Sequence, residues 1–264
     1  MIQFDCHAHV YETVRAVSGA RYVPDHPAPL SEWLGHQATR GLGGGVIVQV
    51  SFLGTDNSEM CSALAGLDRT RFAGVGVVAL DANAEELERL AAAGMRGVRW
   101  NLVGGAPVPD LKAPSVQGLI AKLRALGLHL EIHLEGPALA PLLPALTDLG
   151  VDLVVDHFGL PSEPDASKDP LVRAVAGLAD REALFFKFAA PYRRPFDIRP
   201  HGLALLNLLP PGHVVWGSDW PHTQHETRTS YAECQGQAAA WARCGLSDRR
   251  AATRLYGIGG DPAR

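Results

Sequence analysis

Eight short apolar runs recur along the chain, at 2–7, 45–50, 73–78, 97–101, 128–133, 151–156, 184–188 and 213–218. Between them lie segments whose apolar residues return every three or four positions, among them 84–93, 115–126, 138–149 and 171–178. Period-two or continuous apolar runs read as strands and the three-to-four spacing as helices. Strands alternating with helices give a parallel sheet. Eight such units in 264 residues fit the α/β (β/α)8 TIM barrel, one domain spanning 1–264. A doubly wound sheet would carry a glycine-rich phosphate turn after its first strand. Here Gly43-Gly44-Gly45 precedes the second run and reads as a helix-to-strand turn. Proline-rich stretches at 24–29, 161–170 and 191–200 follow runs one, six and seven, where substrate loops of a barrel lie.

Charge and composition narrow the partners. The net charge is −4 and no run of Lys or Arg offers a phosphate-tracking surface, so nucleic acid is not expected and small molecules are. No stretch reaches the ~20 apolar residues of a membrane span. The first residues lack a signal peptide's basic region and apolar core, so a cytoplasmic enzyme is expected. Cys6, Cys61, Cys234 and Cys244 show no C-x-x-C spacing and read as reduced thiols. None of these features specifies an oligomeric state.

In a barrel the chemistry sits at the carboxyl ends of the strands. His7 and His9 end the first run, Ser51 follows the second, and Arg99 and Asn101 end the fourth. His133 ends the fifth, Asp156 and His157 the sixth, Lys187 and then Arg193 the seventh, and Asp219 the eighth. His7 and His9, two apart, can aim both imidazoles at one metal ion or one substrate carbonyl, with a carboxylate brought in from the far end of the chain. Arg99 is flanked by apolar residues and needs an anion, expected to be a substrate group, with an Asp or Glu as the alternative. Alternation places Asp156 on the face opposite His157, in a structural role. Lys187 and His222 are rim residues without an assigned role.

Taken in order, Asp5-Cys6-His7-Ala8-His9-Val10, Val48-Gln49-Val50-Ser51 with Gly54-Thr55-Asp56-Asn57, and Arg96-Gly97-Val98-Arg99-Trp100-Asn101 form the first half of a pattern. Val155-Asp156-His157-Phe158-Gly159 and Trp216-Gly217-Ser218-Asp219-Trp220-Pro221-His222 complete it. From Asp5 to about Tyr256 the chain resembles the amidohydrolase superfamily, specifically the amidohydrolase-2 group of lactone hydrolases and related enzymes. The resemblance implies a distorted barrel in which Asp219 is general base for a hydrolytic water. It implies that His7, His9 and His157 polarise a lactone carbonyl or hold a metal that does so. Ser51, Arg99, Asn101, Arg193 and His222 would hold substrate oxygens or carboxylates.

Two positions depart from the pyrone dicarboxylate hydrolases of that group. Further arginines expected after the fourth and sixth strands read Gly105 and Leu160, which favours a mono-anionic or neutral lactone or other small organic acid. His133 replaces a tyrosine of the metal-independent members. With His7, His9 and Asp219 it offers an N3O set for one divalent metal, Zn or Mn, beside a metal-free alternative. The resemblance also covers metal-dependent non-oxidative decarboxylases of aromatic or muconate-type acids, the alternative activity.

Overall fold

In the computed structural model, which describes residues 2–260, the eight apolar runs form one parallel sheet in the order β1 to β8. The strands are β1 Phe4–Ala8, β2 Gly44–Val48, β3 Phe72–Gly76, β4 Met95–Asn101, β5 His129–His133, β6 Leu153–Val155, β7 Leu184–Phe188 and β8 Val214–Trp216. The sheet closes just past its strand ends. Asp219 N donates to His7 O at 2.8 Å, and His9 N donates to Trp220 O at 2.7 Å. The molecule is a (β/α)8 barrel, as the alternation predicts.

Among the described residues ten α-helices surround or cap it: α1 Leu30–Ala38, α2 Ser58–Ala65, α3 Ala84–Ala92, α4 Pro114–Ala125, α5 Gly136–Leu139, α6 Leu143–Thr147, α7 Pro170–Gly177, α8 Arg199–Leu208, α9 Tyr231–Arg243 and α10 Arg249–Tyr256. The helix expected over 138–149 is instead α5, a 3₁₀ turn Ala140–Leu142 and α6. Pro141 and Pro144 each remove a backbone donor and crowd the preceding turn, so one continuous helix cannot form there. No described helix is long and apolar enough to cross a membrane, and all four cysteines are free.

Two packed layers hold the barrel. Outward-facing strand residues such as Ile47, Val98, Ile132 and Phe186 join the helices in the larger core. Inward-facing Cys6, Val46, Val48, Val75, Val154, Phe185 and Val215 pack against Ala251, Leu255 and Tyr256 of α10, which closes the amino-terminal end. His129 also lies at that end, against Tyr256 and Leu255, whereas the remaining inward-facing charged and histidine side chains of the strands lie nearer the carboxyl-terminal end.

Asp5 fastens the first strand to the last loop. It is fully buried and accepts from Ser218 N (2.8 Å), Ser218 Oγ (2.7 Å), Trp33 Nε1 (2.8 Å) and the Tyr231 hydroxyl (3.0 Å). The β1–β2 register shifts between Asp5 and Ala8, so a bulge separates Asp5, turned towards the helices, from His7, turned inward. Gly217 lies against that segment. A Cβ there would stand 2.3 Å from His7 Cβ and 2.8 Å from His7 N, so only glycine lets β8 approach β1 this closely.

Candidate active site

Every described non-glycine residue with positive φ follows β6, β7 or β8: His157, Phe158, Leu160, Ala190, Asp219, His222 and Gln224. Each such conformation costs ~1–3 kcal/mol and persists only where the surroundings enforce it. For His157 (φ 52°) and Asp219 (φ 60°) the result is that both side chains turn to the barrel axis. Together with the bulge at His7, this brings residues far apart in sequence to one point.

That point is Asp219 Oδ1. It lies 3.6 Å from His7 Nε2, 3.7 Å from His9 Nε2 and 3.8 Å from His157 Nε2. Neither Oδ1 nor the His7 and His157 Nε2 atoms has a hydrogen-bond partner, although all are buried. The other carboxylate oxygen, Oδ2, is saturated. It accepts from the Tyr192 hydroxyl at 2.6 Å and from Arg193 Nη2 at 2.7 Å and Nε at 3.2 Å. Burial alone would raise the Asp219 carboxyl, but Arg193 and then His157 outweigh it and hold it well below the usual carboxylate range. Burial drives His7 down to about 3 and His157 well below its ordinary value, so both rings are neutral at pH 7. His9 Nδ1 lies 2.8 Å from Val48 O; a carbonyl only accepts, so in the neutral ring Nε2 keeps its lone pair towards Asp219.

Below this cluster, β4 to β7 bury two cations against two anions. Arg99 Nε donates to Asp156 Oδ2 at 2.7 Å and lies 3.6 Å from Glu131 Oε1. Lys187 Nζ is 2.6 Å from Glu131 Oε2 and 3.9 Å from Asp156 Oδ1. His7 Nδ1 reaches 3.4 Å to Asp156 Oδ1 and to Lys187 Nζ, which couples this layer to the histidines. Two expectations need correction. Arg99 already has an anion within the protein, Asp156, where a substrate group is expected from the sequence. Asp156 points inward beside His157, because β6 ends at Val155 and strict alternation stops there.

His133 also differs from expectation. Its Nδ1 lies 3.1 Å from Arg99 Nη2, and arginine can only donate. Burial lowers its pKa well below the ordinary value, so the ring is neutral with its hydrogen on Nε2 and no free lone pair. The set His7, His9, His133 and Asp219 is not brought together. Ligand atoms lying within 4.8 Å of one another belong instead to His7, His157 and Asp219, and His133 groups with Asp156 and His157.

A cavity of about 300 Å³ opens above the cluster, lined by His9, His133, His157, Ser51, Asn101, Arg99 and Arg193, with Arg21, Tyr22, Thr223 and Gln224 nearer the loops. Of the expected substrate residues only His222 is absent from its wall. It stands behind, with Nδ1 3.3 Å from the Tyr192 hydroxyl. His7 and Asp219 lie one layer below, fully buried. A larger surface groove of about 540 Å³ beside α8 and α9 is lined by Phe196, Ile198, Leu203 and Trp241 and contains none of the rim histidines. Sequence reasoning missed Tyr192, Glu131 and Arg21. Glu131, a carboxylate inside the run Leu128–His133, carried the one usable signal: a buried acid requires a buried cation.

Comparison with known proteins agrees with the geometry. The family model described as amidohydrolase matches residues 4–256. A 2-pyrone-4,6-dicarboxylate hydrolase of Comamonas testosteroni is 31% identical over 206 residues, spanning 69% of this chain but only 64% of that relative. A 4-sulfomuconolactone hydrolase of Rhizobium radiobacter is 26% identical, covering 83% of this chain and 76% of its own length. A D-galactarolactone isomerase of Agrobacterium fabrum is 26% identical over 81% and 72%. Among solved structures, a probable 2-pyrone-4,6-dicarboxylic acid hydrolase of Acinetobacter baumannii with citric acid bound superposes with a TM-score of 0.86, at 31% identity over 97% of this chain and all of that one. A 5-carboxyvanillate decarboxylase of Sphingomonas paucimobilis shares the fold, with a TM-score of 0.64 at 16% identity.

Proposed function

The chain belongs to the amidohydrolase family, and from that premise we propose that it hydrolyses a small lactone, with Asp219 as the base that activates water. The observation that carries this reading is the asymmetry of the Asp219 carboxylate. Oδ2 is held by Tyr192 and Arg193, whereas Oδ1 is unpaired and faced by three imidazole Nε2 atoms. A carboxylate fixed through one oxygen presents the other in one orientation, as proton transfer from a water requires. The names of the three curated relatives support the class of substrate, since a 2-pyrone, a sulfomuconolactone and a galactarolactone are all cyclic esters.

In this reading a lactone enters the cavity with its carbonyl towards His133 and His157, because the Nε2 of His9 presents a lone pair and cannot donate. Water loses a proton to Asp219 Oδ1 and its oxygen bonds to the carbonyl carbon, giving a tetrahedral oxyanion. The ring C–O bond then breaks as the proton passes from Asp219 to the departing oxygen. His133 contributes an Nε2–H donor at the wall, its tautomer set by Arg99. Donors aimed at a developing oxyanion away from bulk water lower the barrier more than they would in solvent.

The unpaired Nε2 of His7 and His157, the lone pair of His9 Nε2 and the unpaired Asp219 Oδ1 also fit a divalent metal such as zinc or manganese. His7, His157 and Asp219 would hold it, with His9 Nε2, 3.7 Å from Asp219 Oδ1, as a fourth ligand. Such an ion would polarise the carbonyl and lower the pKa of water. Elemental analysis of the purified protein and of His9→Ala and His133→Ala variants tests the ligand assignment. The metal should be lost with His9 and retained with His133.

The activity is tested by screening small lactones with a pH indicator. Acid release from at least one lactone is expected. Release of carbon dioxide from an aromatic or muconate-type acid, with every lactone inert, would replace hydrolysis with the decarboxylase alternative.

A further inference from the structure

Three arginines, Arg21, Arg99 and Arg193, line the cavity, and no aspartate or glutamate does. Two of the three are already neutralised by acids behind the wall: Arg99 by Asp156 at 2.7 Å and Arg193 by Asp219 at 2.7 Å. Arg21 is not. Its Nη1 donates to Val103 O and its Nη2 to Asn101 O at 3.4 Å, both neutral backbone carbonyls. Among the described residues no carboxylate forms an ion pair with it.

The loop that carries this exposed side chain is nevertheless held in place. Arg21 belongs to the loop between β1 and α1, which is pinned on several sides: Tyr11 and Ala28 exchange backbone hydrogen bonds at 2.9 Å, Val17 N donates to Phe52 O at 2.8 Å, and the Tyr22 hydroxyl reaches Glu226 Oε1 at 3.2 Å. The loop therefore carries Arg21 over the cavity to the segment after β4. There Gly104 adopts φ +71°, and a Cβ on it would lie 3.3 Å from Arg21 Nη1. A guanidinium has five N–H donors. The two carbonyls leave donors of the exposed guanidinium, which has no paired carboxylate among the described residues, for a ligand.

We propose that Arg21 is the receptor for a carboxylate on the substrate, and that the substrate is a lactone bearing one carboxylate apart from its ester ring. The substrate class rests on the hydrolase reading above; the anion site does not. One uncompensated cation in the cavity matches one negative charge. A neutral lactone leaves Arg21 without an ionic partner, and a dianion places its second charge where both remaining arginines already have acids.

The test is equilibrium binding of 3-oxocyclopentane-1-carboxylate, a ring ketone that water cannot open, and of its uncharged methyl ester. Titration calorimetry is run on the intact protein and on Arg21→Met and Arg21→Lys. The acid is expected to bind the unmodified protein more tightly than the ester and to lose about tenfold or more in Arg21→Met, the scale of one charge-assisted hydrogen-bonded pair. Arg21→Lys should fall between the two, and ester binding should change by less than twofold. Equal binding of the acid to the unmodified protein and Arg21→Met, or parallel losses for acid and ester, would overturn the proposal. Failure of the hydrolase reading shows separately: Arg21-dependent binding of the acid with no lactone opened keeps the anion site and removes the activity.

Discussion

Lys187 offers the sharpest energetic prediction. Its ammonium is fully buried, 2.6 Å from Glu131 Oε2 and 3.9 Å from Asp156 Oδ1, and Arg99 is the other cation of the layer. At that separation and an effective dielectric of 20 the Lys187–Glu131 attraction is about 6 kcal/mol, opposed by the cost of stripping water from both groups. Lys187→Met removes the attraction and leaves two buried carboxylates facing one arginine. The loss should be ~3–5 kcal/mol, which lowers the melting temperature by roughly 6–20 °C in a chain of this size. Glu131→Gln alone should cost a similar amount. The double variant should cost less than the two losses added, by at least ~2 kcal/mol, since each change removes the partner the other strands. Urea unfolding of the four proteins measures all of these terms. A single-variant loss under about 1 kcal/mol, or additive losses, would refute the claim that this layer is a closed charge balance.

Acid should destabilise the fold before carboxylates titrate in the ordinary way. His7 has its folded pKa near 3 against an ordinary 6.5, so below pH 6.5 the unfolded chain binds a proton that the folded one does not. Stability then falls by about 1.4 kcal/mol per pH unit for each such histidine, and His133 and His157 add in the same direction. Asp156 and Asp219, both held low, extend the loss to lower pH as they protonate. Urea midpoints with chelator present should therefore drop between pH 7 and 5, and a flat profile would contradict the buried neutral histidines. Gly217→Ala should displace His7, because the added Cβ meets His7 Cβ at 2.3 Å. A stability loss of ~1–3 kcal/mol and a fall in turnover of about a hundredfold are expected, read from melting curves and kcat, and near-normal turnover would show that the β1–β8 contact can relax.

The barrel was legible because a buried parallel strand leaves a local mark, an apolar run between turns, and the rim followed from where those runs end. His7, His9, His157 and Asp219 were found that way, and the structure places them within one small volume. What depends on distances across the barrel was not legible. No local pattern shows that Asp156 takes Arg99, that Arg99 then fixes the His133 tautomer, or that Glu131 takes Lys187. Alternation failed at Asp156 and His157 because the strand had already ended and His157 turns to positive φ. Arg21 and Tyr192 sit in loops, where their partners are decided by how one loop lies on another.

The most direct test of the central claim is the turnover of Asp219→Asn on a lactone that the unmodified protein opens. Asparagine keeps the shape and the contact with Tyr192 but cannot accept the proton. A kcat lower by about 10²–10⁴ is expected in a protein that remains folded by circular dichroism. A kcat within a few-fold of the unmodified protein would contradict Asp219 as the base.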